Sequence, residues 1–415
     1  MQMHEIITFK EHEEKLVESH KEDIEILKEY CSDNFQSYLK LKKTQNGYTA
    51  DYYIGIEWLK ENECVLVVEP KIENLDYLSM FLECLKHPLV TYEINKPRND
   101  EKIYEIFLDK KPVKLEKQKF QITPLLIFHF LNVVNSIVKK GLKKGYVKVQ
   151  NNLSNKVKGK ILINTTIKHN HTKHQFNKTY CQYEEFTIDC FENRILKKAL
   201  LFVNKYLITH KILDSHDLLP VLNQCLSAFS LVSDEIDINT IKQIKVNNFY
   251  KEYKQGLTLA LMILKHFSYS IHNTEKQEVS IPPFYINMPL LFELYVYSKL
   301  LKEYNGKNIL YQPKAKYGNP DFIDIDNKII FDAKYKENYN VGYNIDDIRQ
   351  LSGYARDKKI LELLKEESKV IDCIIFYPNK NGNEKIDKGM IKNTSIGDFL
   401  CFYKYCLKLP EKSHN

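Results

Sequence analysis

The stretch Pro320-Asp321-Phe322-Ile323-Asp324-Ile325-Asp326-Asn327-Lys328-Ile329-Ile330-Phe331, followed at once by Asp332-Ala333-Lys334, decides the fold of the C-terminal part of this chain. Apolar residues alternate with polar ones on both sides of Asp326-Asn327, which predicts two strands joined by a tight turn. In that register residue 325 pairs with 328, 324 with 329 and 321 with 332. Asp321 then lies opposite Asp332, with Cβ atoms ~5 Å apart. Lys334 lies on the same face, because side chains alternate along a strand with a period of two residues.

This hairpin predicts a site for a divalent cation. Two carboxylates so close together repel each other unless a cation binds between them. Oxygen ligands of this kind suit Mg²⁺, with Mn²⁺ as the alternative, and Mg²⁺ usually takes one or two carboxylates. The lysine would then assist an attacking water or hold the leaving phosphate. The alternative is a solvated hairpin with scattered charges. Apolar residues on both faces argue against it, because they predict covered strands in which a charge needs a partner.

The segments on either side of the hairpin place further polar residues near it. Asn344, followed by acidic residues, predicts a helix start, and Gln350 and Tyr354 share one face of that helix because they are four residues apart. Residues 289–297 predict an earlier helix whose lone acid is Glu293. The apolar run 370–377 predicts a buried strand. The expected order is therefore helix, strand (residues 308–312), hairpin, helix and strand.

Pro320-Asp321, Asp332-Ala333-Lys334 and Gln350-x-x-x-Tyr354, in this order and strand context, resemble the PD-(D/E)xK nuclease superfamily. The resemblance implies a mixed sheet flanked by helices and hydrolysis of phosphodiester bonds with bound Mg²⁺. The residues it implies are the metal ligands Asp321, Asp332 and the Ala333 carbonyl, the catalytic lysine Lys334, a further acid Glu293, and the supporting catalytic-site residues Gln350 and Tyr354.

A narrower resemblance covers most of the chain. It rests on several short motifs, none of which identifies a family by itself. The motifs are Val68-Glu69-Pro70-Lys71-Ile72, Gly159-Lys160-Ile161, Phe186-Thr187-Ile188-Asp189, Glu192-Asn193-Arg194-Ile195-Leu196, residues 289–297 and Asp332-Ala333-Lys334-Tyr335-Lys336. Their shared order is similar to that of McrC-type proteins, the nuclease subunits of McrBC modification-dependent restriction systems. The resemblance implies docking on a GTP-hydrolysing AAA+ ring, stimulation of its hydrolysis, and cleavage of modified double-stranded DNA after translocation. Asn319 departs from the pattern, since relatives often carry arginine before this proline.

Composition sets the outer bounds of the prediction. With 415 residues, 43% of them hydrophobic and 28% charged, the chain is long enough for two or three globular domains. Neither a signal peptide at the start nor an apolar run of ~18 residues is evident, so no membrane contact is expected. Nine cysteines without a Cys-x-x-Cys motif favour reduced thiols and a cytoplasmic location.

The net charge of +7 is unevenly distributed. Residues 117–183 contain thirteen lysines and no acidic residue, which is a candidate electrostatic footprint for nucleic acid. The lysines expected to contact DNA are Lys139, Lys140, Lys143, Lys144, Lys148, Lys156, Lys158 and Lys160. Two alternatives remain open, namely a solvated face balanced by acids elsewhere in the fold and a surface for an acidic protein partner.

Three histidines within this span, His169, His171 and His174, together with Cys181 and Cys190 raise the question of a zinc site. Their spacing matches no standard zinc finger, and the flanking lysines would oppose a cation. A polar loop is the preferred interpretation.

The whole chain is expected to be a multidomain α/β (α+β) protein in three parts. Residues 1–115 form a β-rich module that is a candidate docking surface for the partner, residues 116–270 hold basic strands and helices, and residues 271–415 form the nuclease-like domain. Strand-like segments include residues 37–41, and residues 14–30 are expected to be helical. Further helices are expected at 123–140, 187–206, 217–231 and 247–267, followed by a polar linker at 271–283.

Two functions from different classes fit these patterns. The first is a Mg²⁺-dependent DNA endonuclease subunit that works with an AAA+ GTPase. The second is a non-catalytic, DNA-binding activator of that motor with a vestigial nuclease fold. The intact set of Asp321, Asp332 and Lys334 favours the enzyme, because such residues are the first to be lost when a nuclease decays. A free-standing nuclease of the same superfamily is a weaker third interpretation.

Overall fold

The computed structural model describes residues 5–18, 20–30, 37–96, 102–116, 123–209, 218–236, 251–270, 278–304, 308–316, 318–366, 369–391 and 394–412. These residues fall into two compact units, one within Met1–Gln121 and Gln277–Asn415 and the other within Ile122–Asp214 and Leu218–Lys276. The N-terminal and the C-terminal segments of the first unit each contain helices and a mixed sheet, which confirms the predicted multidomain α+β class. The predicted boundaries near residues 115 and 270 fall close to the limits of the second unit. The segments before and after it share one unit.

The N-terminal segment of the first unit is rich in strands. Its elements are β1 (Glu5–Lys10), β2 (Glu14–Leu16), α1 (Lys21–Tyr30), β3 (Lys42–Lys43), β4 (Gly47–Thr49), β5 (Tyr53–Lys60), β6 (Cys64–Glu69), α2 (Tyr77–Cys84), α3 (Pro88–Asn95), β7 (Tyr104–Ile106) and β8 (Val113–Glu116). β1 lies parallel to β6, and β6 lies antiparallel to β5. The run Cys64–Glu69 is buried over almost its whole length, as expected for an apolar strand that is covered on both faces.

Two predictions in this segment are wrong. Residues 14–16 form a strand rather than the start of a helix, because Glu14 pairs with Thr49 across the small sheet β2-β4-β3. The helix begins only at Lys21. The strand expected at residues 37–41 is absent from those residues: 37–40 form a turn, and the strand β3 begins only at Lys42.

The second unit contains helices and one long hairpin. Its elements are α4 (Thr123–Lys140), β9 (Gly145–Ser154), β10 (Lys160–Ile161), α5 (Ile163–His169), β11 (Lys178–Thr187), α6 (Phe191–Thr209), α7 (Leu218–Ala228) and α8 (Lys251–Ser270). β9 and β11 pair antiparallel over ten residues each, from Gly145 opposite Thr187 to Ser154 opposite Lys178. The predicted limits of α4 are confirmed. The helix expected from Thr187 begins instead at Phe191, because Thr187 is the last residue of β11. The expected helix starts at 217 and 247 lie outside the described residues.

The C-terminal segment of the first unit carries the predicted hairpin. Its elements are β12 (Glu278–Ile281), β13 (Phe284–Asn287), α9 (Met288–Glu303), β14 (Ile309–Tyr311), β15 (Phe322–Asp324), β16 (Ile329–Ala333), α10 (Ile345–Tyr354), α11 (Lys358–Leu364), β17 (Asp372–Asn383), α12 (Lys388–Ile391) and β18 (Phe402–Leu407). Five of the strands form a mixed sheet in the order β14-β15-β16-β17-β18. β16 is its central strand, antiparallel to β15 and parallel to β17. The predicted order of helix, strand, hairpin, helix and strand is confirmed.

The linker predicted at residues 271–283 is wrong over the part that the structure describes, which starts at residue 278. Glu278–Ile281 is β12 and pairs with β8. β13 then enters the N-terminal sheet between β5 and β7, giving the order β1-β6-β5-β13-β7. Gly55 permits this approach, because a Cβ added there would lie 2.1 Å from the carbonyl oxygen of Phe284, and its φ of +145° is rarely adopted by other residues. Within the described part of the chain, no helix is long and apolar enough to cross a membrane.

Candidate active site

The hairpin β15–β16 has the register that the sequence predicts. Phe322 pairs with Phe331, Ile323 with Ile330 and Asp324 with Ile329. Four of these six residues are apolar and at most 1% exposed, namely Phe322, Ile323, Ile330 and Phe331. The strands are therefore central and covered, as expected. The turn is longer than predicted. Residues 325–328 form a four-residue turn, whereas the sequence predicted a two-residue turn with residue 325 paired to residue 328. Asp324 stabilises this turn by accepting hydrogen bonds from the backbone N–H groups of Asp326 and Asn327, both at 3.0 Å.

Asp332 lies near the end of the central strand and is 1% exposed. Its Oδ2 lies 2.7 Å from Nζ of Lys334, so the predicted neighbours form an ion pair. Oδ2 is buried, yet it accepts no aligned hydrogen bond from any described residue. Burial raises the pKa of Asp332, Lys334 opposes that shift, and Asp347 adds to it. The site thus holds a buried carboxylate beside an ammonium group, and carboxylate oxygens are ligands that Mg²⁺ prefers.

Asp321 faces the same region from the start of the partner strand. Its Oδ2 accepts a hydrogen bond of 2.7 Å from the backbone N–H of Ala333, next to Asp332. Burial raises the pKa of Asp321 well above its usual range, and the charges of Asp332 and Glu293 raise it further. The two aspartates are therefore electrostatically coupled, as expected for carboxylates on one face of a hairpin.

Lys334 is held by the helix α10. Its Nζ donates a hydrogen bond of 3.1 Å to Oε1 of Gln350, and Nε2 of Gln350 donates one of 2.9 Å to the hydroxyl of Tyr354. Tyr354 also contacts the loop before Asp321, since a Cβ at Gly318 would lie 2.9 Å from its hydroxyl oxygen. Burial lowers the pKa of Lys334, but the nearby carboxylates of Asp332 and Asp321 raise it more, and the net shift is upward. Gln350 and Tyr354 thus share one face of the helix, as predicted from their spacing, and Gln350 contacts Lys334.

Glu293 lies on α9 and is half-buried. Its Oε1 accepts a hydrogen bond of 2.7 Å from Nε2 of Gln312, one residue beyond β14. Its charge reaches Asp321, where it raises the pKa of that carboxyl. The predicted further acid is therefore placed at the edge of the aspartate pair.

Sequence reasoning missed a third buried carboxylate, Asp347. It accepts hydrogen bonds from Nζ of Lys336 at 2.9 and 3.0 Å and from the hydroxyl of Tyr339 at 2.6 Å. Its Oδ1 also lies 4.0 Å from Nζ of Lys334. The sequence signal was present, because Asp347 follows the helix cap Asn344, but acidic residues in a first helical turn are usually explained by the helix dipole.

The residues present fit a divalent cation of the magnesium type. Among the described residues, no three His, Cys, Asp or Glu side chains are gathered as a ready metal site. Mg²⁺ does not require such a cage, because it is usually bound by one or two carboxylates with water and substrate oxygens completing its shell. The candidate ligands are Asp321 and Asp332, with the Ala333 carbonyl remaining a prediction.

The lysines predicted to contact DNA lie in the second unit, and acids that follow them in sequence neutralise part of their charge. Lys143 is paired with Glu192 at 2.5 Å and Lys158 with Glu185 at 3.3 Å, while Lys140 is paired with Glu252. The register of β9 and β11 sets Lys148 opposite Glu184. The remaining predicted lysines are Lys139, Lys144, Lys148, Lys156 and Lys160, none of which is within ion-pair distance of an acid in the described chain.

The histidine cluster is not an irregular loop. His169 ends α5, and residues His171–Lys173 form a turn of 3₁₀ helix that His174 ends in the left-handed conformation. Phe176 lies beside the rings of His171 and His174, with centroid distances of 5.3 and 6.1 Å. Over the described residues these histidines and the buried Cys181 form no metal-holding group.

A mixed sheet whose central strand carries a buried aspartate near its end, beside a second aspartate and a lysine, defines an α/β protein with a candidate cation site. The chain belongs to the McrBC family, because the family model described as McrBC 5-methylcytosine restriction system component matches residues 49–362. The family predicted from the sequence motifs is thereby confirmed.

Two solved structures contain similar chains. One is the refined half-complex from the tetradecameric assembly of Thermococcus gammatolerans McrB AAA+ hexamers with bound McrC, at 16% identity and a TM-score of 0.34, covering 97% of this chain and 94% of that chain. The other is the cryo-EM structure of the Thermococcus gammatolerans McrBC complex, at 16% identity and a TM-score of 0.29, covering 72% of this chain and 88% of that chain. No curated protein matches the sequence significantly.

Proposed function

We propose that the protein is the McrC-type nuclease subunit of a McrBC-like restriction system and hydrolyses phosphodiester bonds of double-stranded DNA. The observation that carries the proposal is the group formed by Asp321, Asp332 and Lys334. Two buried carboxylates lie close enough for the charge of Asp332 to raise the pKa of Asp321, and Oδ2 of Asp332 lies 2.7 Å from the ammonium nitrogen of Lys334. Such a group is costly for a fold unless it serves binding or chemistry.

The chemistry follows from the roles that these side chains are able to take. When bound, Mg²⁺ would act as a Lewis acid on phosphate oxygens. Asp321 and Asp332 would hold the ion and fix its position on the central strand. Lys334, held in place by Gln350, would orient the attacking water or donate to a phosphate oxygen as the bond to the leaving oxygen breaks. Glu293 and Tyr354 would keep the ligands and the loop before Asp321 in place.

An AAA+ GTPase is the proposed partner. Membership in a family of restriction-system components supports this, since a component acts together with other subunits. The sequence resemblance to McrC-type proteins adds that the partner is a McrB-like ring whose GTP hydrolysis this subunit stimulates. Modified double-stranded DNA is the proposed substrate, and the cytoplasm the proposed location.

The test is cleavage of methylated and unmethylated plasmid by the purified protein with Mg²⁺, in the presence and absence of a McrB-type GTPase and GTP. Lys334→Ala and Asp332→Ala should abolish cleavage and leave stimulation of GTP hydrolysis intact. Lys359→Ala, which removes an exposed lysine on α11, is the matched control and should cut normally. Cleavage by either active-site variant would refute the site. Stimulation without cleavage of any of these DNAs by the unsubstituted protein would favour the non-catalytic activator instead.

A further inference from the structure

The segment that follows the central strand is held in place along its backbone. The N–H of Lys334 donates to the carbonyl of Phe376 on β17 at 2.8 Å, and the N–H of Lys336 donates to the carbonyl of Lys334 at 2.7 Å. Between them the ring of Tyr335 is 4% exposed, with its centroid 5.7 Å from that of Phe292 on α9. The position of Tyr335 therefore fixes the chain on the C-terminal side of Lys334.

Lys71, from the N-terminal segment, contacts Tyr335 twice. Its Nζ donates a hydrogen bond of 2.7 Å to the carbonyl oxygen of Tyr335 and lies 4.0 Å from the centroid of the same ring. A charged donor to a carbonyl is stronger than a neutral one, and the ring adds a cation–π attraction. Lys71 belongs to the motif Val68-Glu69-Pro70-Lys71-Ile72, to which the proposed chemistry gives no role.

Glu11 completes the contact from the neighbouring strand. It is 3% exposed, and its Oε2 accepts hydrogen bonds from the N–H of Lys71 at 3.1 Å and from the hydroxyl of Tyr335 at 3.2 Å. The N–H of Glu11 donates to the carbonyl of Glu69 at 2.9 Å, which continues the pairing of β1 with β6. The residues just beyond β1 and β6, two adjacent strands of the N-terminal sheet, thus supply one side chain each to the contact with Tyr335.

We propose that Glu11 and Lys71 are positioning residues for the candidate active site, acting through Tyr335 to hold the backbone that carries Lys334. The proposal rests on the proposed nuclease function for its kinetic consequence, whereas the contacts themselves are independent of it. The contact differs from an ordinary surface ion pair, because Lys71 donates to a backbone carbonyl and Glu11 is buried. Catalysis is sensitive to such support, since a displacement of ~1 Å at a reacting group costs on the order of 100-fold in rate.

The test compares Lys71→Met with Lys71→Arg and with Lys10→Met, a control that removes a lysine 53% exposed at the end of the same sheet. The variants are assayed with Mg²⁺, the GTPase partner and GTP. Lys71→Met should lower kcat for DNA cleavage by about 10- to 100-fold with little change in KM or in GTPase stimulation. Lys71→Arg, which keeps the charged donor, should recover most of the rate, and Lys10→Met should match the unsubstituted protein.

Amide hydrogen exchange of the chain alone supplies the second readout. Exchange in the segment 332–336 should be faster in Lys71→Met than in Lys10→Met. If the unsubstituted protein cuts DNA and Lys71→Met has the same kcat as Lys10→Met, the proposal is overturned. If the unsubstituted protein cuts no DNA, the proposed function fails, and hydrogen exchange alone tests the positioning role of Lys71. Faster exchange of the segment 332–336 in Lys71→Met then supports that role, and unchanged exchange overturns it.

Discussion

The substitution Glu11→Gln should remove a pH dependence of stability. Burial raises the pKa of Glu11 from an ordinary value of 4.5 to about 7, against the opposing charge of Lys71. The folded protein therefore binds this proton more tightly than the unfolded chain does. The stabilisation is fully present below pH 4.5 and is lost as the pH rises through about 7.

The magnitude follows from the size of the shift. A shift of about 2.5 pH units at about 1.36 kcal/mol per unit gives about 3 kcal/mol of unfolding free energy that is lost between acid and alkaline pH. Glutamine has the shape of the protonated acid and does not titrate. The difference in unfolding free energy between the Glu11→Gln variant and the unsubstituted protein should therefore grow by about 3 kcal/mol over this range, in favour of the variant.

Urea unfolding followed by tryptophan fluorescence is the assay. The sequence has one tryptophan, Trp58, which lies in β5 of the same unit as Glu11 and reports on that unit alone. Measurements from pH 4 to pH 8 without divalent cations would be compared with those on Glu25→Gln, the same chemical change at an exposed position of α1. A difference between Glu11→Gln and the unsubstituted protein that stays constant over this range would refute the reasoning.

Two further predictions concern the charges of the candidate sites. Asp321→Asn should raise the urea midpoint of the metal-free protein at pH 8, because it removes one of two crowded carboxylates. The same substitution should abolish Mg²⁺ binding measured by calorimetry. Retained binding would contradict the assignment of Asp321 as a ligand. Lys148→Gln and Lys156→Gln should each make the negative slope of log affinity for DNA against log salt shallower by about 0.9. Lys158→Gln should change that slope by less, because Lys158 is paired with Glu185. Equal effects of all three would show that the ion pair does not matter.

The hairpin was predictable because its information is local. Apolar alternation on both sides of one polar turn fixes the register, and the register alone brings Asp321 to the start of one strand and Asp332 to the end of the other. The helix that carries Gln350 was equally accessible, since Asn344 caps it and its side chain accepts from the N–H of Asp346. Period and capping act within a few residues, so one sequence suffices to read them.

What the sequence did not reveal depends on side-chain contacts that no local period or capping pattern encodes. The run of lysines was interpreted from its own composition, but Glu185, directly beyond that run, pairs with Lys158, and Glu192 and Glu252, further along the chain, pair with Lys143 and Lys140. The role of Asp347 depends on Lys336 and Tyr339, whose side chains reach it only after the chain turns back from the sheet. Neither partner carries a sequence signal that marks it as such.

The position of β13 has a consequence for the order of synthesis and for any attempt to divide the protein. β13 separates β5 from β7, and β7 pairs with no other strand in the described chain. During translation the N-terminal sheet therefore stays incomplete until residue 287 has left the ribosome, after the entire second unit has been made. Fragments that stop before residue 284 would expose the unpaired edge of β5 and invite aggregation. A soluble N-terminal fragment for partner-binding studies should consequently carry residues 284–287, supplied either in the chain or as an added strand.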